Sequence, residues 1–510
     1  MALTLFMVIP FSTFAQSLGD TLVVGILSTK THQLNPLAPV EKDLVSIYNV
    51  VYEGLIEIDD DFRPQPKLAE SWEMASGGER WTFFLRKDVF FSDGTPFTAK
   101  DVVATVRYFL DIFGDESIVD KGYYGNLQYF IKNISQEDDY TVSITTKRPN
   151  YNFLYTMTFP ILPADWVGQE NPPGTGPYVI QNFEPQNALF LDLNPHWRNL
   201  DPKIKYITCM LFPNDKEMLS SYENMAVDTI FTRSISAAQY GNSATSLSLP
   251  YRTNQLETIM FNNTAFEFED IRMRQAFRHA INVNQIASQV FAGMVQRTDT
   301  PMPTGTWMYN NDTLVHYDYD VEKAKELLAQ VGWEDTDEDG ILDIAYEGAR
   351  RRLRVRLLVY DEPGNTLRSD AALMIKNMLA EIKVEVAIEY ETFQTVASKL
   401  KAKNYDFALV SYQMDVAPDP GFMLMPGNTG NYANYKSEKM KELFTKLRST
   451  TDAAAYQQVL YDIQQLFSQD IPFICMFYRG GSILTKEMYS VVRDVRELEL
   501  LRGIDSFQQE

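Results

Sequence analysis

At 510 residues the chain is too long for one ordinary hydrophobic core, so two or three domains are expected. Its 45% apolar and 22% charged content is that of a folded globular protein, and 46 basic against 68 acidic residues leave a formal charge of −22. That balance lacks the basic footprint that phosphate binding needs, which argues against nucleic acid or an anionic membrane surface as the main partner.

In chain order, residues 1–15 read as a signal peptide. Ala2 to Phe14 is mostly apolar and uncharged, and Thr13-Phe14-Ala15 ahead of Gln16 is a small-residue cleavage site. The stretch is shorter than the roughly 20 residues that cross a bilayer. No Lys or Arg precedes Lys30, so part of the leader is expected to be missing. Thr21 to Leu27 predicts a first buried strand, followed by the loop Gln33-Leu34-Asn35-Pro36-Leu37, where Asn35 is a candidate ligand contact. Trp81, Phe83 and Leu85 alternate with Thr82, Phe84 and Arg86, the period of a half-buried strand. Ser92-Asp93-Gly94-Thr95-Pro96 is a turn by its chemistry. Thr98 is expected to cap a helix through Phe109, with Asp101 placed for a capping box. Tyr123-Tyr124, between Gly122 and Gly125, reads as a cleft-lining loop.

Strands are predicted at 140–146, 178–183, 188–193 and 204–212, and one amphipathic helix over 270–290. A second helix is predicted over 320–331, with Ala324, Leu327, Leu328 and Val331 on one face. Strands 353–360, 384–390 and 407–411 alternate with helices 369–382 and 392–401. That β-α-β-α-β run signals a parallel or mixed α/β sheet. Cys209 and Cys475 each lie in an apolar run, which favours buried free thiols, while an exported chain also admits a disulfide.

No catalytic motif appears: there is no HExxH, GxSxG or GxxxxGK[ST], and His32, His196, His279 and His316 pair at no metal spacing. The chain is not expected to be an enzyme, and no cofactor is required. Asp335, Asp337, Asp339 and Gly340 do form a loop whose alternate carboxylates converge, as hard Ca²⁺ demands. Asp343 and the carbonyl of Ile341 would complete a structural calcium site. The other reading is an Asp-rich, solvated turn.

The run from Val51 to Val103 closely resembles the signature segment of family 5 extracellular solute-binding proteins, the oligopeptide and dipeptide receptors of ABC importers. The resemblance is carried by Tyr52-Glu53-Gly54-Leu55, by Pro66 to Trp72 (PKLAESW), by Phe84-Leu85-Arg86-Lys87, and by Phe91 to Val103 (FSDGTPFTAKDVV). Gly176-Pro177-Tyr178 with Asn194-Pro195-His196-Trp197 resembles the family's re-entry into its first lobe.

The resemblance implies a type II periplasmic-binding-protein fold: two α/β lobes with a hinge, plus an inserted domain. Lobe I would comprise 16–50, 172–258 and 481–510, lobe II the insertion 51–171, and lobe III 259–480. It also implies a monomer that closes on an oligopeptide outside the cytoplasmic membrane, periplasmic or extracytoplasmic, and delivers it to ABC permease subunits. Gln16 and Ser17 stand where many relatives carry a lipidated Cys. In peptide-binding relatives an aromatic residue and an Asp three later meet the ligand's chain and α-amino group, which points to Tyr412 and Asp415, with Asp419 as a rival for the Asp role. Sugar-binding relatives would stack ligand on aromatics, so an oligosaccharide receptor is the alternative, and a ligand sensor on the same scaffold is another.

Overall fold

The structure is a computed structural model. It describes residues 20–28, 34–38, 42–114, 124–149, 151–199, 202–242, 246–486, 489–490, 495–506 and 508–509. The signal-peptide stretch, Tyr123 and His32 lie outside the described residues.

One eleven-stranded mixed sheet forms the backbone of the molecule. Across it the strands run Glu385–Glu391, Arg354–Tyr360, Phe407–Gln413, Ser246–Phe261, Phe473–Lys486, Thr229–Thr232, Thr21–Leu27, Tyr206–Phe212, Ala188–Leu193 and Tyr178–Glu184, with Val295–Arg297 added beside Phe473–Lys486. Each flank has its own parallel pairs: Arg354–Tyr360 with Glu385–Glu391, and Thr21–Leu27 with Tyr206–Phe212. Parallel neighbours need crossovers, and helix Leu367–Ala380 supplies one, burying Ala371, Ala372, Ile375 and Leu379 against the sheet.

The two flanks are not separate sheets. Ser246–Phe261 and Phe473–Lys486, 16 and 14 residues long, run through both and fuse them. Their antiparallel ladder holds from Ser246↔Lys486 to Arg252↔Gly480, shifts register, and resumes at Leu256↔Tyr478. At the break Gly480 and Gly481 leave room that side chains would fill: a Cβ on Gly481 would meet the Tyr251 ring at 2.2 Å. A ladder broken opposite a Gly pair is the place where two lobes joined by two strands can bend.

A separate four-stranded antiparallel sheet, Ala69–Met74, Arg80–Leu85, Thr141–Thr146 and Ile131–Asp138, carries helix Ala99–Gly114. Its capping box works through Asp101, whose carboxylate accepts the Thr98 backbone N–H at 2.8 Å and the Ala164 N–H at 2.9 Å. The helix predicted over 270–290 is two, Ile271–Ala280 and Val283–Gln289. Ile281 turns extended, and the Asn282 side chain caps the second helix by accepting from Gln285 N–H. Cys209 and Cys475 are both buried free thiols, and burial pushes the Cys209 thiol up to about 12. Among the described residues no helix is long and apolar enough to cross a membrane.

Candidate ligand cleft

Three sequence segments far apart in the chain form one joint below the cleft. Glu53 is buried and takes a bidentate pair from Arg198, both N–H···O distances 2.7 Å, with Lys67 Nζ 3.6 Å away. Arg198 also lies over the Trp197 ring at 4.8 Å. Gly174 and Gly176 are required because they pass backbone to backbone against Val50 and Val51. A Cβ on Gly174 would sit 2.0 Å from the Val51 carbonyl, and the Gly176 N–H donates to that same oxygen at 2.9 Å. Asn194 Nδ2 closes the joint by donating to the Gly176 carbonyl at 2.8 Å.

Above the joint lie two cavities on either side of the loop that follows strand Phe407–Gln413. The smaller, about 20 Å³, is lined by Phe62, Arg252, Met302, Met414, Asp415 and Asp419 among others, and reaches Tyr478 at the register break. The larger, about 170 Å³, is lined from the helix Lys42–Val51, the Glu53 joint, Tyr124 and Val416. The chain's own residues 495–502 wall off its far side. Glu497 accepts from Asn254 N–H at 2.8 Å and from Gln413 Nε2 at 3.2 Å, while Arg496 donates to the Ile58 and Asp59 carbonyls.

Asp415 and Asp419 face the smaller cavity in different states. Asp419 is already answered: Arg448 Nε donates to it at 2.9 Å, and it caps Gly421 N–H at 2.8 Å. Asp415 accepts a long 3.3 Å bond from Ala417 N–H, and no cation pairs with it among the described residues. Asp415 is exposed, and desolvation by the groups around its carboxylate raises its pKa, against the lowering effect of the Ala417 and Val416 backbone.

Tyr412 corrects the sequence expectation. It is buried in lobe packing, its ring stacked on Tyr432 and edge-on to Phe422, and its phenol donates to the Gly430 carbonyl at 2.8 Å. Strand alternation decides this: Tyr412 points inward and the neighbouring Gln413 is exposed. Asn35 is also turned to its own loop, its Oδ1 accepting Leu37 N–H at 3.0 Å, and lines neither cavity. Tyr124 does line the larger cavity, with its ring edge-on to Phe109 and Phe159.

The acidic loop does converge. Oxygens of Asp335, Asp337 and Asp339 lie within 4.8 Å of one another, Gly340 has φ +88° and donates its N–H to Asp335. Lys383 reaches Asp335 at 2.7 Å, and Arg350 and Arg352 pair with Asp337 and Asp339. Asp343 instead accepts from Thr336 N–H and Oγ1, and Ile341 donates its N–H to Asp339.

Two flanks of one sheet joined by a pair of long strands, with Asp415 on the wall of a small cavity beside them, are the geometry set beside known proteins. Residues 63–434 match the family model described as bacterial extracellular solute-binding proteins, family 5 middle, and the chain belongs to that family. It is 26% identical to the oligopeptide-binding protein AppA of Bacillus subtilis strain 168, over 94% of this chain and 91% of that one. The solved structure of AppA with a nonapeptide superposes with a TM-score of 0.67 at 22% identity, covering 96% of this chain and 99% of that one. The substrate-binding protein CtaP from Listeria monocytogenes gives a TM-score of 0.80 at 20% identity, with 96% and 99% coverage.

The sequence reading missed Arg496 and, beside it, Glu497, which lines the larger cavity. Their charge and irregular surroundings look like surface, yet they are 2% and 3% exposed because each charge is met by backbone or side-chain groups. Glu53 and Arg198 were within reach, since both stand in or beside the motifs already picked out.

Proposed function

We propose that this protein captures oligopeptides outside the cytoplasmic membrane and hands them to an ABC permease, acting as a monomer by lobe closure without breaking a bond. One observation carries the reading: Asp415 presents a carboxylate that no cation among the described residues pairs, on the wall of the smaller cavity, on the scaffold of a family with peptide-binding relatives. A peptide's α-ammonium is the group that such a carboxylate attracts most strongly once desolvated. Backbone hydrogen bonds from the cleft would then tolerate varied side chains.

The experiment is native mass spectrometry of the purified protein. Co-purified peptides are expected; a co-purified oligosaccharide with no peptide would overturn the reading in favour of a sugar receptor, for which Tyr124 would be the stacking platform. We also propose that the loop 335–343 holds a structural calcium ion. The support is its converging carboxylates together with Asp335 Oδ1, which is buried without a partner.

A further inference from the structure

Beside the smaller cavity, chain segments 245 positions apart are tied together by hydrogen bonds. Strands Ile56–Ile58 and Pro64–Pro66 pair as a hairpin, and its tip meets the loop after strand Val295–Arg297 at Trp307. The Trp307 backbone N–H donates to Asp61 Oδ1 at 2.7 Å, and its indole N–H donates to the Phe62 carbonyl at 3.0 Å. Arg63 covers the indole ring at 5.0 Å. From behind, Gln457 and Tyr461 on helix Ala453–Asp470 donate to the Trp307 carbonyl at 2.7 and 3.1 Å, which fixes Trp307 to its own side.

Phe62 stands where short hairpin tips favour Gly, since its φ of +64° is in the left-handed region. Its ring is nonetheless only 4% exposed, with the Arg496 guanidinium 5.0 Å and that of Arg252 6.0 Å from its centre. Tyr155 OH also donates to the Phe62 carbonyl, at 2.9 Å. These contacts hold the strained backbone and fix the carbonyl that Trp307 meets. Phe62 lines the smaller cavity from the hairpin, and Met302, Pro303 and Met308, which flank Trp307, line it from the loop, with Asp415 also on its wall.

We propose that Asp61, Phe62 and Trp307 are a latch that holds the cleft shut beside Asp415, so that ligand leaves only after both hydrogen bonds break. The proposal rests on the closure reading above, in which the family resemblance assigns Asp61 and Phe62 to lobe II and Trp307 to lobe III. A latch of this kind slows dissociation and biases the ligand-free protein towards its shut form.

Stopped-flow dissociation of tetra-alanine and of cellotetraose from wild type, Asp61→Ala and Trp307→Phe tests it. The Asp61 side chain is 46% exposed, so Asp61→Ala should fold normally. Each variant removes one of the two bonds and is expected to speed dissociation of whichever probe binds about five-fold. A merely structural role would lower the melting temperature and leave the rate alone; unchanged rates in both variants would overturn the latch. Binding of cellotetraose but not tetra-alanine would retire the peptide, and the latch would then be judged on the sugar's rate. If neither probe binds, the capture reading fails and small-angle scattering of the ligand-free protein decides. A radius of gyration larger in the variants than in wild type would uphold the latch, and equal radii would overturn it.

Discussion

Asp415 and Asp419 stand four residues apart in one loop, and only their partners tell them apart. Arg448 neutralises Asp419; desolvation raises the pKa of Asp415. A carboxyl whose folded pKa lies above its unfolded value contributes stability at low pH, and that contribution is lost as pH rises through the folded pKa. An ammonium ligand needs the ionised form, so it reverses the shift. Peptide affinity should therefore fall as the pH is lowered through the acid range, with proton release on binding in that window. Calorimetry in buffers of different ionisation enthalpy checks it, and Asp415→Asn should flatten the dependence. A wild-type affinity that does not change with pH would remove Asp415 from the ligand contact. At the joint, Glu53→Gln leaves Arg198 buried and uncompensated, which should cost about 3–5 kcal/mol of stability in denaturant titration.

The acidic loop sets its prediction at the scale of one element. If calcium joins Asp335, Asp337 and Asp339, it binds the folded state and raises the melting temperature by linkage. The measurement is a pair of thermal melts, in millimolar calcium and in chelator. Identical curves would assign the loop's charge wholly to Arg350, Arg352 and Lys383. Elements of this kind were well signalled by sequence where local pattern governs. The helix Val321–Val331 shows its apolar face and its Asp320 cap plainly, and so do Phe393–Ala402 and Thr392. The strand Ser246–Phe261 was not, because its first half (SLSLPYRTNQ) carries polar residues and a Pro without clean alternation. It is a strand because Phe473–Lys486 pairs with it along most of its length.

For the whole molecule, the family signature pointed to a two-lobed α/β receptor because several of its residues are held by geometry that allows few substitutions. Gly174 and Gly176 touch backbone, and Glu53 meets Arg198 across 145 positions. The cleft itself was less legible. Which way Tyr412 points depends on strand register, and which Asp is free depends on Arg448, 29 residues from Asp419. Lobe closure about the break between Arg252 and Leu256 should lower the radius of gyration when a saturating peptide is added, measured by small-angle scattering. An unchanged radius would count against a hinge there.

The most direct test of peptide capture compares one peptide with a free N-terminus and its N-acetylated form, titrated calorimetrically into wild type, Asp415→Asn and Asp419→Asn. Losing one partner of a desolvated charge pair costs about 2–5 kcal/mol, so the free peptide should bind wild type about 30- to 4,000-fold more tightly than the acetylated one. Asp415→Asn should erase that preference and Asp419→Asn should keep it. Equal binding of free and acetylated peptides to the wild-type protein would contradict the account.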